Sequence, residues 1–196
     1  MKRLFDIIAS GCGLLVLSPL FFVVAIWIKL DSKGPVFYKQ IRVGRYGKDF
    51  KLFKFRSMRV GADKKGLITI GGHDPRVTRS GYFIRKYKLD EFPQLINVFI
   101  GDMSLVGPRP EVRKYVDLYT PEQLHVLAVR PGITDLASIR YRNENEILET
   151  VENPEQYYID VIMPDKLRIN LEYVANHSFF YDIKLIFKTF WEIISK

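Results

Sequence analysis

Cysteine and histidine are scarce in this chain. Its 196 residues include one cysteine, Cys12, and three histidines, His73, His125 and His177. A single cysteine excludes an internal disulfide framework, and the histidines show no metal-ligand spacing with one another or with Cys12. The sequence also has no Walker-type loop, no Gly-x-Ser-x-Gly elbow and no dinucleotide fingerprint. These missing motifs argue against the protein classes that they mark. The low cysteine content favours chemistry in a reducing compartment.

Acidic residues are outnumbered by basic ones. The chain has 30 Lys and Arg against 22 Asp and Glu, which gives a formal net charge of +8. A basic surface suits phosphate-rich partners such as nucleic acid, anionic lipid headgroups or nucleotides. We expect no nucleic-acid partner, because the basic residues are scattered and because such a partner would leave a long apolar segment unexplained.

That apolar segment runs from Ile7 to Ile28 without a charged residue. As a helix it would reach about 30 Å, the thickness of a bilayer core. It has four interpretations: a cleaved signal peptide, a helix that spans the membrane, a helix that enters and leaves on the same side, and a buried helix of a soluble core. The run is too long for a signal peptide, and the residues around Ser18 do not form a small-residue cleavage site.

Pro19 lies near the middle of this segment and favours a bend. Proline removes one backbone donor and clashes with the preceding turn, and Ser18 can bond back to a carbonyl one turn earlier. Basic residues flank both ends of the segment, at Lys2, Arg3, Lys29, Lys33, Lys39, Arg42 and Arg45. Because basic flanks favour the cytoplasmic side, we predict a re-entrant helix hairpin in residues 1–31 and a cytoplasmic catalytic domain in residues 32–196.

The remaining sequence indicates an α+β, mainly helical fold. The predicted elements are strands at Val36–Lys39 and Phe50–Phe55, a polar loop at Gly61–Asp74 containing Gly71 and Gly72, a helical stretch at Tyr82–Ile100 with a break near Asp90, a helix from Pro121 that ends before Pro131, and a mostly helical stretch at Pro154–Tyr173 interrupted near Pro164. We expect the two strands to form a small β-hairpin beside a compact cytoplasmic core.

The C-terminal stretch is predicted to be an amphipathic helix. Apolar residues recur at helical spacing at Phe179, Ile183, Ile186, Phe187, Phe190 and Ile194, together with Lys184, Lys188, Trp191 and Lys196. Such a helix either lies in the lipid headgroup region or packs on the protein core. We favour the first interpretation and therefore expect amphipathic interfacial helices.

Asp90 and Glu91 are the candidate catalytic residues. Pro93 is tolerated only in the first turn of a helix, which places both carboxylates at a helix N-terminus. The helix dipole there favours an ionised carboxylate, which can act as a nucleophile or bind Mg²⁺. Acidic residues at a helix start are also common caps, so this position alone leaves both interpretations open.

Basic residues accompany this pair in sequence. Arg79, Arg85, Lys86 and Lys88 precede the carboxylate pair. The Gly- and Pro-rich run Gly101–Pro110 presents Arg109, and Arg140, Arg142 and Asn143 follow Arg130-Pro131-Gly132-Ile133-Thr134. Arginine's planar fork suits bidentate phosphate binding. Together with a carboxylate pair and a membrane segment, these residues indicate an anionic, phosphate-bearing substrate.

Several of these segments carry a family resemblance. They are Lys2-Arg3-Leu4-Phe5-Asp6, Ser18-Pro19, Gly34-Pro35-Val36-Phe37, Lys54-Phe55-Arg56-Ser57-Met58, Leu89-Asp90-Glu91, Pro93-Gln94-Leu95, Gly101–Pro110 and Arg130-Pro131-Gly132-Ile133-Thr134. In this order, and over nearly the whole chain, they resemble the small monotopic phosphoglycosyl transferases, which belong to the bacterial sugar transferase family.

The resemblance implies a two-step reaction. Asp90 would attack the β-phosphorus of a UDP-sugar with Mg²⁺ bound, UMP would leave, and polyprenyl phosphate would take the sugar phosphate from Asp90. Glu91 would be a metal ligand beside Asp90 or a base toward the lipid phosphate. Arg109, Arg142, Arg56 and Asn143 are the implied phosphate and nucleotide contacts.

The resemblance also implies a location and a pathway step. We expect a monotopic protein of the inner (cytoplasmic) membrane that faces the cytoplasm, contacts membrane lipid and starts the assembly of a glycan such as an exopolysaccharide. A homodimer is left open. Asp135-Leu136-Ala137-Ser138-Ile139 stands where the family usually has Gly-Trp-Ala-Gln-Val, which leaves the sugar open. The alternatives are a transferase with another donor and a non-catalytic module that binds anionic lipid.

Overall fold

A computed structural model of the chain describes residues 1–65 and 74–194, and within them the protein is mainly helical with two short β-pairs. The helices are α1 (Lys2–Asp31), α2 (Arg79–Lys86), α3 (Gln94–Ile100), α4 (Arg113–Val116), α5 (Leu136–Arg140), α6 (Glu144–Glu149), α7 (Pro154–Tyr157), α8 (Met163–Asn176) and α9 (Phe179–Ile194). The strands are β1 (Phe37–Val43), β2 (Asp49–Phe55), β3 (Ser104–Val106) and β4 (Gly132–Thr134). The predicted mainly helical class is confirmed.

Strands β1 and β2 form the predicted antiparallel hairpin. Phe37 lies opposite Phe55, and Val43 lies opposite Asp49. The first strand continues past Lys39, where the sequence pattern placed its end. The hairpin packs on the rest of the protein through both faces: Phe55 is buried against Val24 and Ile28 of α1, and Leu52, on the opposite face, is buried against Val98 and Met103.

The first turn of α1 is anchored to the C-terminal half of the protein. Lys2 forms an ion pair with the buried carboxylate of Asp182, and its ammonium group donates a 2.8 Å hydrogen bond to the carbonyl oxygen of Val106. One turn later, Asp6 accepts a 3.0 Å hydrogen bond from the backbone N–H of Leu105. Charged groups at the start of an apolar helix are thus paired with protein partners.

The last turn of α1 is anchored to α2 and to Arg56, which follows β2. The carboxylate of Asp31 accepts hydrogen bonds from the N–H and the hydroxyl of Ser80, at 3.0 and 2.8 Å. The guanidinium of Arg56 donates to the carbonyl oxygens of Ser32 and Lys33, at 2.7 and 2.8 Å. Both carbonyls lie directly after the last residue of α1, so the bonds fix the chain where it leaves the helix. Both ends of α1 therefore lie on one globular body.

The middle of α1 contains Pro19, and the helix continues through it. Pro19 has no N–H to offer the carbonyl oxygen of Leu15, and the hydroxyl of Ser18 donates to that oxygen at 2.8 Å instead. The predicted back-bond of Ser18 is confirmed. The predicted hairpin of two arms is not confirmed, since residues 2–31 form one helix that is long and apolar enough to cross a membrane.

One face of α1 packs on the protein and the opposite face is exposed. Gly11 lies against the ring of Phe99, and Gly13 lies against Leu95, both on the α3 side. The outward face exposes large apolar side chains at Leu4, Ile8, Leu15, Val16, Phe22, Val23, Trp27 and Leu30. An exposed apolar surface of this extent marks contact with a membrane or with another protein.

A parallel pair, β3 with β4, was not predicted from the sequence. Ser104 pairs with Gly132, and Val106 pairs with Thr134. The backbones approach so closely that a Cβ atom on Gly132 would lie 2.1 Å from the backbone nitrogen of Gly107. The pair fixes the start of the Gly- and Pro-rich run that carries Arg109.

The C-terminal half packs against this pair. Leu185 of α9 and Tyr173 of α8 are buried in a cluster with Val106, whereas Phe187 and Trp191 are exposed. Helix α9 therefore has both a core-facing side and an exposed apolar side, and its contact with lipid stays a prediction. The predicted contributions of the Phe190 and Ile194 side chains and of Lys196 lie outside what the structure describes, as do Gly71, Gly72 and His73.

Candidate active site

The segment between α2 and α3 presents the two candidate carboxylates. Helix α2 ends at Lys86, and Lys88 adopts a left-handed backbone conformation (φ 56°) that turns the chain. A single 3₁₀ turn, Leu89–Glu91, follows, and Pro93 then precedes the first residue of α3. The predicted helix break near Asp90 and the predicted helix start at Pro93 are both confirmed.

Glu91 is held by two basic side chains. Its carboxylate accepts two hydrogen bonds from Arg109, one of them 3.2 Å between Nη1 and Oε2. The Nζ atom of Lys54 lies 3.6 Å from Oε1 of Glu91. Burial alone would raise the pKa of Glu91, but Arg109 and Lys54 hold that pKa far below its ordinary value. Glu91 is therefore an anion throughout the physiological pH range.

Asp90 has a different environment. Its side chain is buried, and burial raises the pKa of its carboxyl above the ordinary value, while Lys54 is the charge that most opposes this rise. Arg85 and Lys88 act in the same direction as Lys54. A helix N-terminus alone would favour the ionised form. Here burial outweighs it, so the ionised form of Asp90 depends on the nearby cations.

Lys54 is the site residue that sequence reasoning missed. It lies on β2, one residue before the end of the strand, and burial lowers the pKa of its ammonium group while Glu91 raises it. Its segment was noted only as part of the family resemblance. The signal available in the sequence is the alternation along β2, which puts Lys54 on the face opposite to Phe55 and Phe53.

Arg109 joins the pair from a distant segment. Its Nη atoms bind Glu91, which raises the pKa of the guanidinium above its ordinary value. The buried carboxylate of Asp135 also acts on Arg109, although its own oxygens accept hydrogen bonds from the N–H and the hydroxyl of Ser138. The predicted cluster of a carboxylate pair and Arg109 is therefore assembled in space.

These residues line a large cavity of about 1810 Å³. One wall is the inner face of α1, with Phe5, Ala9, Gly13 and Leu17. The reactive end is formed by Lys54, Asp90, Glu91 and Arg109, with Arg85, Lys86 and Lys88 nearby on the lining. The cavity therefore connects apolar helix turns to a charged site.

The other predicted contacts fall in three places. Arg142 lines the cavity and forms a 2.5 Å ion pair with Glu192 of α9. Asn143 precedes α6 and is not among the described residues that line the cavity. Arg56 also lines the cavity, but it is buried, and its Nη atoms bind the carbonyl oxygens of Ser32 and Lys33 just after α1. A phosphate role for Arg56 stays a prediction, and this geometry argues against it.

The carboxylate pair fits a magnesium ion that is shared with a substrate. No group of three or more His, Cys, Asp or Glu side chains in the described part of the chain could hold a metal ion. Mg²⁺ usually keeps several waters and binds one or two carboxylates together with substrate phosphates. Asp90, with Glu91 beside it, supplies such a set, although both oxygens of Glu91 already accept bonds from Arg109.

Comparison with known proteins gives the family. The family described as "Bacterial sugar transferase" matches residues 1–196. The UDP-glucose:undecaprenyl-phosphate glucose-1-phosphate transferase of Escherichia coli is 40% identical over 96% of this chain and 39% of its own length. An Aeromonas hydrophila UDP-N-acetylgalactosamine-undecaprenyl-phosphate N-acetylgalactosaminephosphotransferase is 38% identical over 100% of this chain and 44% of its own length.

A third relative has a similar length. The exopolysaccharide production protein PSS of Rhizobium leguminosarum is 40% identical over 96% of this chain and 92% of its own length. The chain thus spans less than half of the first two relatives and nearly all of the third.

Proposed function

The chain belongs to the bacterial sugar transferase family, and from this premise we propose that it transfers a sugar 1-phosphate from a UDP-sugar to polyprenyl phosphate. The observation that carries the proposal is the assembly of Asp90, Glu91, Lys54 and Arg109 at one end of a cavity whose wall is an apolar helix. A water-soluble donor and a lipid acceptor can both reach such a site. The names of the relatives support the same two substrates.

In the first step, a carboxylate oxygen of Asp90 attacks the β-phosphorus of the donor. The bond between that phosphorus and the bridging oxygen breaks, and UMP leaves with the electron pair. In the second step, a phosphate oxygen of the carrier attacks the same phosphorus, and the bond to Asp90 breaks. Splitting the transfer lets two substrates of different solubility use one carboxylate in turn.

The charges around Asp90 suit this chemistry. Lys54 offsets the cost of burying the Asp90 anion. After the first step, its ammonium group lies beside the phosphoryl group that is attached to Asp90. Arg109 is held in place by Glu91 and presents N–H donors to the transferred phosphate. Preorganised cations in a partly dry site stabilise charge on a phosphoryl group more than they would in water.

We propose Mg²⁺ as the cofactor, with Asp90 and Glu91 as its protein ligands. When bound, the ion would neutralise charge on the donor diphosphate. Because Arg109 already occupies both oxygens of Glu91, Asp90 is the more accessible ligand. The base role of Glu91 toward the carrier is less well supported, since its low pKa makes it a weak base.

We propose a re-entrant, monotopic placement of α1 in the inner membrane, with the catalytic body on the cytoplasmic side. Both ends of α1 are tied to one body, through Lys2 with Asp182 and through Asp31 with Ser80. A helix that crossed the bilayer would carry its ends to opposite sides. The exposed apolar face of α1 supplies the surface that lipid would cover.

The experiment that tests the reaction is a donor panel with polyprenyl phosphate in nanodiscs, scored by UMP release. The wild-type protein trapped with its donor should carry one phosphosugar adduct on Asp90 by mass spectrometry. Asp90→Asn should lose both the adduct and UMP release, by about 10⁴-fold or more for a nucleophile. Full activity of Asp90→Asn would refute the nucleophile, and lipid binding without turnover for any donor would favour the non-catalytic module.

A further inference from the structure

Helix α2 has a buried face that fixes its position. Ser80 and Gly81 are buried. A Cβ atom on Gly81 would lie 1.9 Å from the carbonyl oxygen of Ser57, so a glycine is needed for the helix to approach the chain after β2 this closely. The hydroxyl of Thr78 caps the first turn by accepting a 3.0 Å hydrogen bond from the N–H of Gly81. Together with the bonds from Ser80 to Asp31, these contacts hold α2 against the end of α1.

The opposite face of α2 is exposed, and its exposed residues are all basic or aromatic. They are spaced by three, four and seven positions, as on one face of a helix, and they are Arg79, Tyr82, Phe83 and Lys86. Tyr87, directly after the helix, is exposed as well. No acidic residue occurs at positions 75–89. This face therefore combines aromatic rings with charge of one sign.

The aromatic members of this face connect α2 to α1. The ring of Phe83 packs against those of Trp27 and Tyr87, with centroid distances of 5.2 and 4.6 Å. These three residues are between 39% and 52% exposed. The Nζ atom of Lys86 lies 5.7 Å from the centroid of the Tyr87 ring. The resulting α2 surface continues the exposed apolar face of α1 and consists of Trp27, Arg79, Tyr82, Phe83, Lys86 and Tyr87.

Basic residues at the start of α1 are bound by the protein itself. Lys2 is paired with Asp182. The guanidinium of Arg3 donates hydrogen bonds to the backbone carbonyl oxygens of Val98 and Phe99, at 2.6 and 2.9 Å. These two cations are therefore already used inside the chain.

The basic residues of the α2 surface have no such partners. Within residues 1–65 and 74–194, neither Arg79 nor Lys86 forms a side-chain hydrogen bond or an ion pair. Asp31 acts electrostatically on Arg79 but lies beyond ion-pair distance. Arg79 is also the first residue of α2, where the helix dipole disfavours a cation. Its charge thus does not stabilise the helix, and both cations are available to an anionic partner.

We propose that the α2 surface docks on anionic phospholipid headgroups of the bilayer that covers α1. The inference rests on the membrane placement of α1 proposed above. Tryptophan and tyrosine are enriched at the boundary between headgroups and acyl chains. Basic residues beside apolar ones on a short amphipathic helix are attracted to anionic lipid. The composition of the α2 surface and its continuity with α1 fit this partner.

A protein partner fits the α2 surface less well than a bilayer. The centre of a protein–protein interface is depleted in charged residues, and lysine is depleted throughout, whereas Lys86 lies beside the ring of Tyr87 within the α2 surface. Trp27 also joins the α2 surface to an exposed apolar face that extends along α1 as far as Leu4. A bilayer covers both surfaces at once and offers its anionic groups where the cations lie.

Docking of α2 sets the depth of the carboxylate pair. The helix ends at Lys86, the turn at Lys88 follows, and Asp90 lies four residues after Lys86. Four residues of chain span at most about 14 Å. The phosphate of a lipid acceptor lies in the same headgroup layer. The α2 surface therefore holds Asp90 near the level at which such a phosphate is presented.

Trp27 provides the test, because it belongs to the α2 surface and the chain has one other tryptophan, Trp191. In a Trp191→Phe background, the fluorescence of Trp27 is measured in nanodiscs of phosphatidylcholine with a minor fraction of phosphatidylglycerol. Either the phosphatidylglycerol or an equal fraction of the phosphatidylcholine carries brominated chains, which quench a nearby indole. We expect phosphatidylglycerol to be enriched beside Trp27 by about 5-fold or more at low salt, the value of one or more cations near anionic lipid. High salt should reduce this preference.

Arg79→Gln combined with Lys86→Gln should remove the preference, so that both brominated lipids quench Trp27 alike. The matched control is Lys48→Gln combined with Lys51→Gln, which removes the same charge from exposed positions near the turn of the β1–β2 hairpin. This control should keep the preference. Equal loss in the two double variants would show an effect of net charge alone and overturn the proposal.

Both double variants should keep the wild-type melting temperature, since none of the four side chains forms a hydrogen bond or an ion pair in the described part of the chain. A lowered melting temperature of the α2 variant would show a structural role for its cations and overturn the proposal.

Three results with the Trp191→Phe protein would also overturn it. They are equal quenching by the two brominated lipids, no quenching by either lipid, which would show that protein covers the α2 surface, and relief of quenching by stoichiometric polyprenyl phosphate, which would make the α2 surface an entrance for the carrier. The result is separable from that of the proposed function. Equal quenching by both lipids would leave the membrane placement and the reaction standing. A preference for phosphatidylglycerol without UMP release for any donor would refute only the reaction.

Discussion

The Nζ atom of Lys54 lies 3.6 Å from the Oε1 atom of Glu91. The two residues come from different elements, β2 and the turn before α3, and are 37 positions apart in sequence. The same ammonium group is the charge that most opposes the burial of Asp90. Lys54 therefore couples the hairpin to both carboxylates of the proposed catalytic pair.

Lys54→Met should lower kcat by about 100-fold, the usual cost of removing one preorganised charge from a reacting group. Without the ammonium group, less of Asp90 is ionised and the phosphoryl group loses a cation. The measurement is UMP release at saturating donor. Lys51→Met is the matched control, because Lys51 is exposed on the same strand and should have no effect. Unchanged kcat in Lys54→Met would contradict the role given to Lys54.

Arg56→Met should destabilise the protein by about 2–4 kcal/mol and leave the KM for the donor unchanged. The substitution removes charged donors from the carbonyl oxygens of Ser32 and Lys33. Chemical denaturation in detergent measures the first effect, and initial rates measure the second. The exposed Arg59 supplies the control Arg59→Met. A raised KM with unchanged stability would instead restore the predicted phosphate contact of Arg56.

Gly132→Ala should destabilise the protein by at least about 2 kcal/mol, because the new methyl group would overlap the backbone of Gly107, directly after β3. Its Cβ atom would lie 2.1 Å from the nitrogen and 2.4 Å from the oxygen of Gly107. Arg109 lies two residues after Gly107, so a displaced Gly107 would also move Arg109. UMP release should therefore fall as well. Thermal unfolding and activity are measured on the same sample.

Gly11→Ala is the control for crowding at a glycine. Among the residues that the structure describes, its Cβ atom would meet only the ring of Phe99, at 3.3 Å, and Phe99 is partly exposed and can move. Alanine also suits a helix interior better than glycine, by up to about 1 kcal/mol. Equal losses in Gly11→Ala and Gly132→Ala would contradict the steric explanation.

The membrane topology has a labelling test in a Cys12→Ser background. A cysteine added before Met1 and the variant Lys33→Cys report the two ends of α1, and Val16→Cys reports its middle. In membrane vesicles of both orientations, an impermeant thiol reagent should label both ends from the cytoplasmic side. Val16 is exposed on the protein but should be protected by lipid. Labelling of the two ends from opposite sides would establish a spanning helix.

Local patterns in the sequence were sufficient for much of the fold. The β1–β2 hairpin, the break between α2 and α3 and the bond from Ser18 to Leu15 depend on residues close in the chain, and each was predicted. The pairing of β3 with β4 was missed, because strands of three residues have no measurable alternation and their partners are 28 residues apart.

The candidate site was predictable to a similar degree. Asp90, Glu91 and Arg109 were identified from helix-start signals and the family resemblance, and the structure brings them together. Lys54 was not identified, because a lysine on a short strand has no distinctive local pattern. Arg56 lies in a segment of the resemblance, and only the tertiary structure shows that its donors bind the end of α1.

The ion pair between Lys2 and Asp182 joins residues separated by 180 positions. During synthesis on the ribosome, Lys2 emerges long before its partner exists, so the start of α1 cannot take its final position until α9 has been made. Until then, the apolar helix needs another environment to avoid aggregation. Early insertion into the bilayer would provide it, and assembly of the catalytic body would then be completed on a helix already resident in lipid.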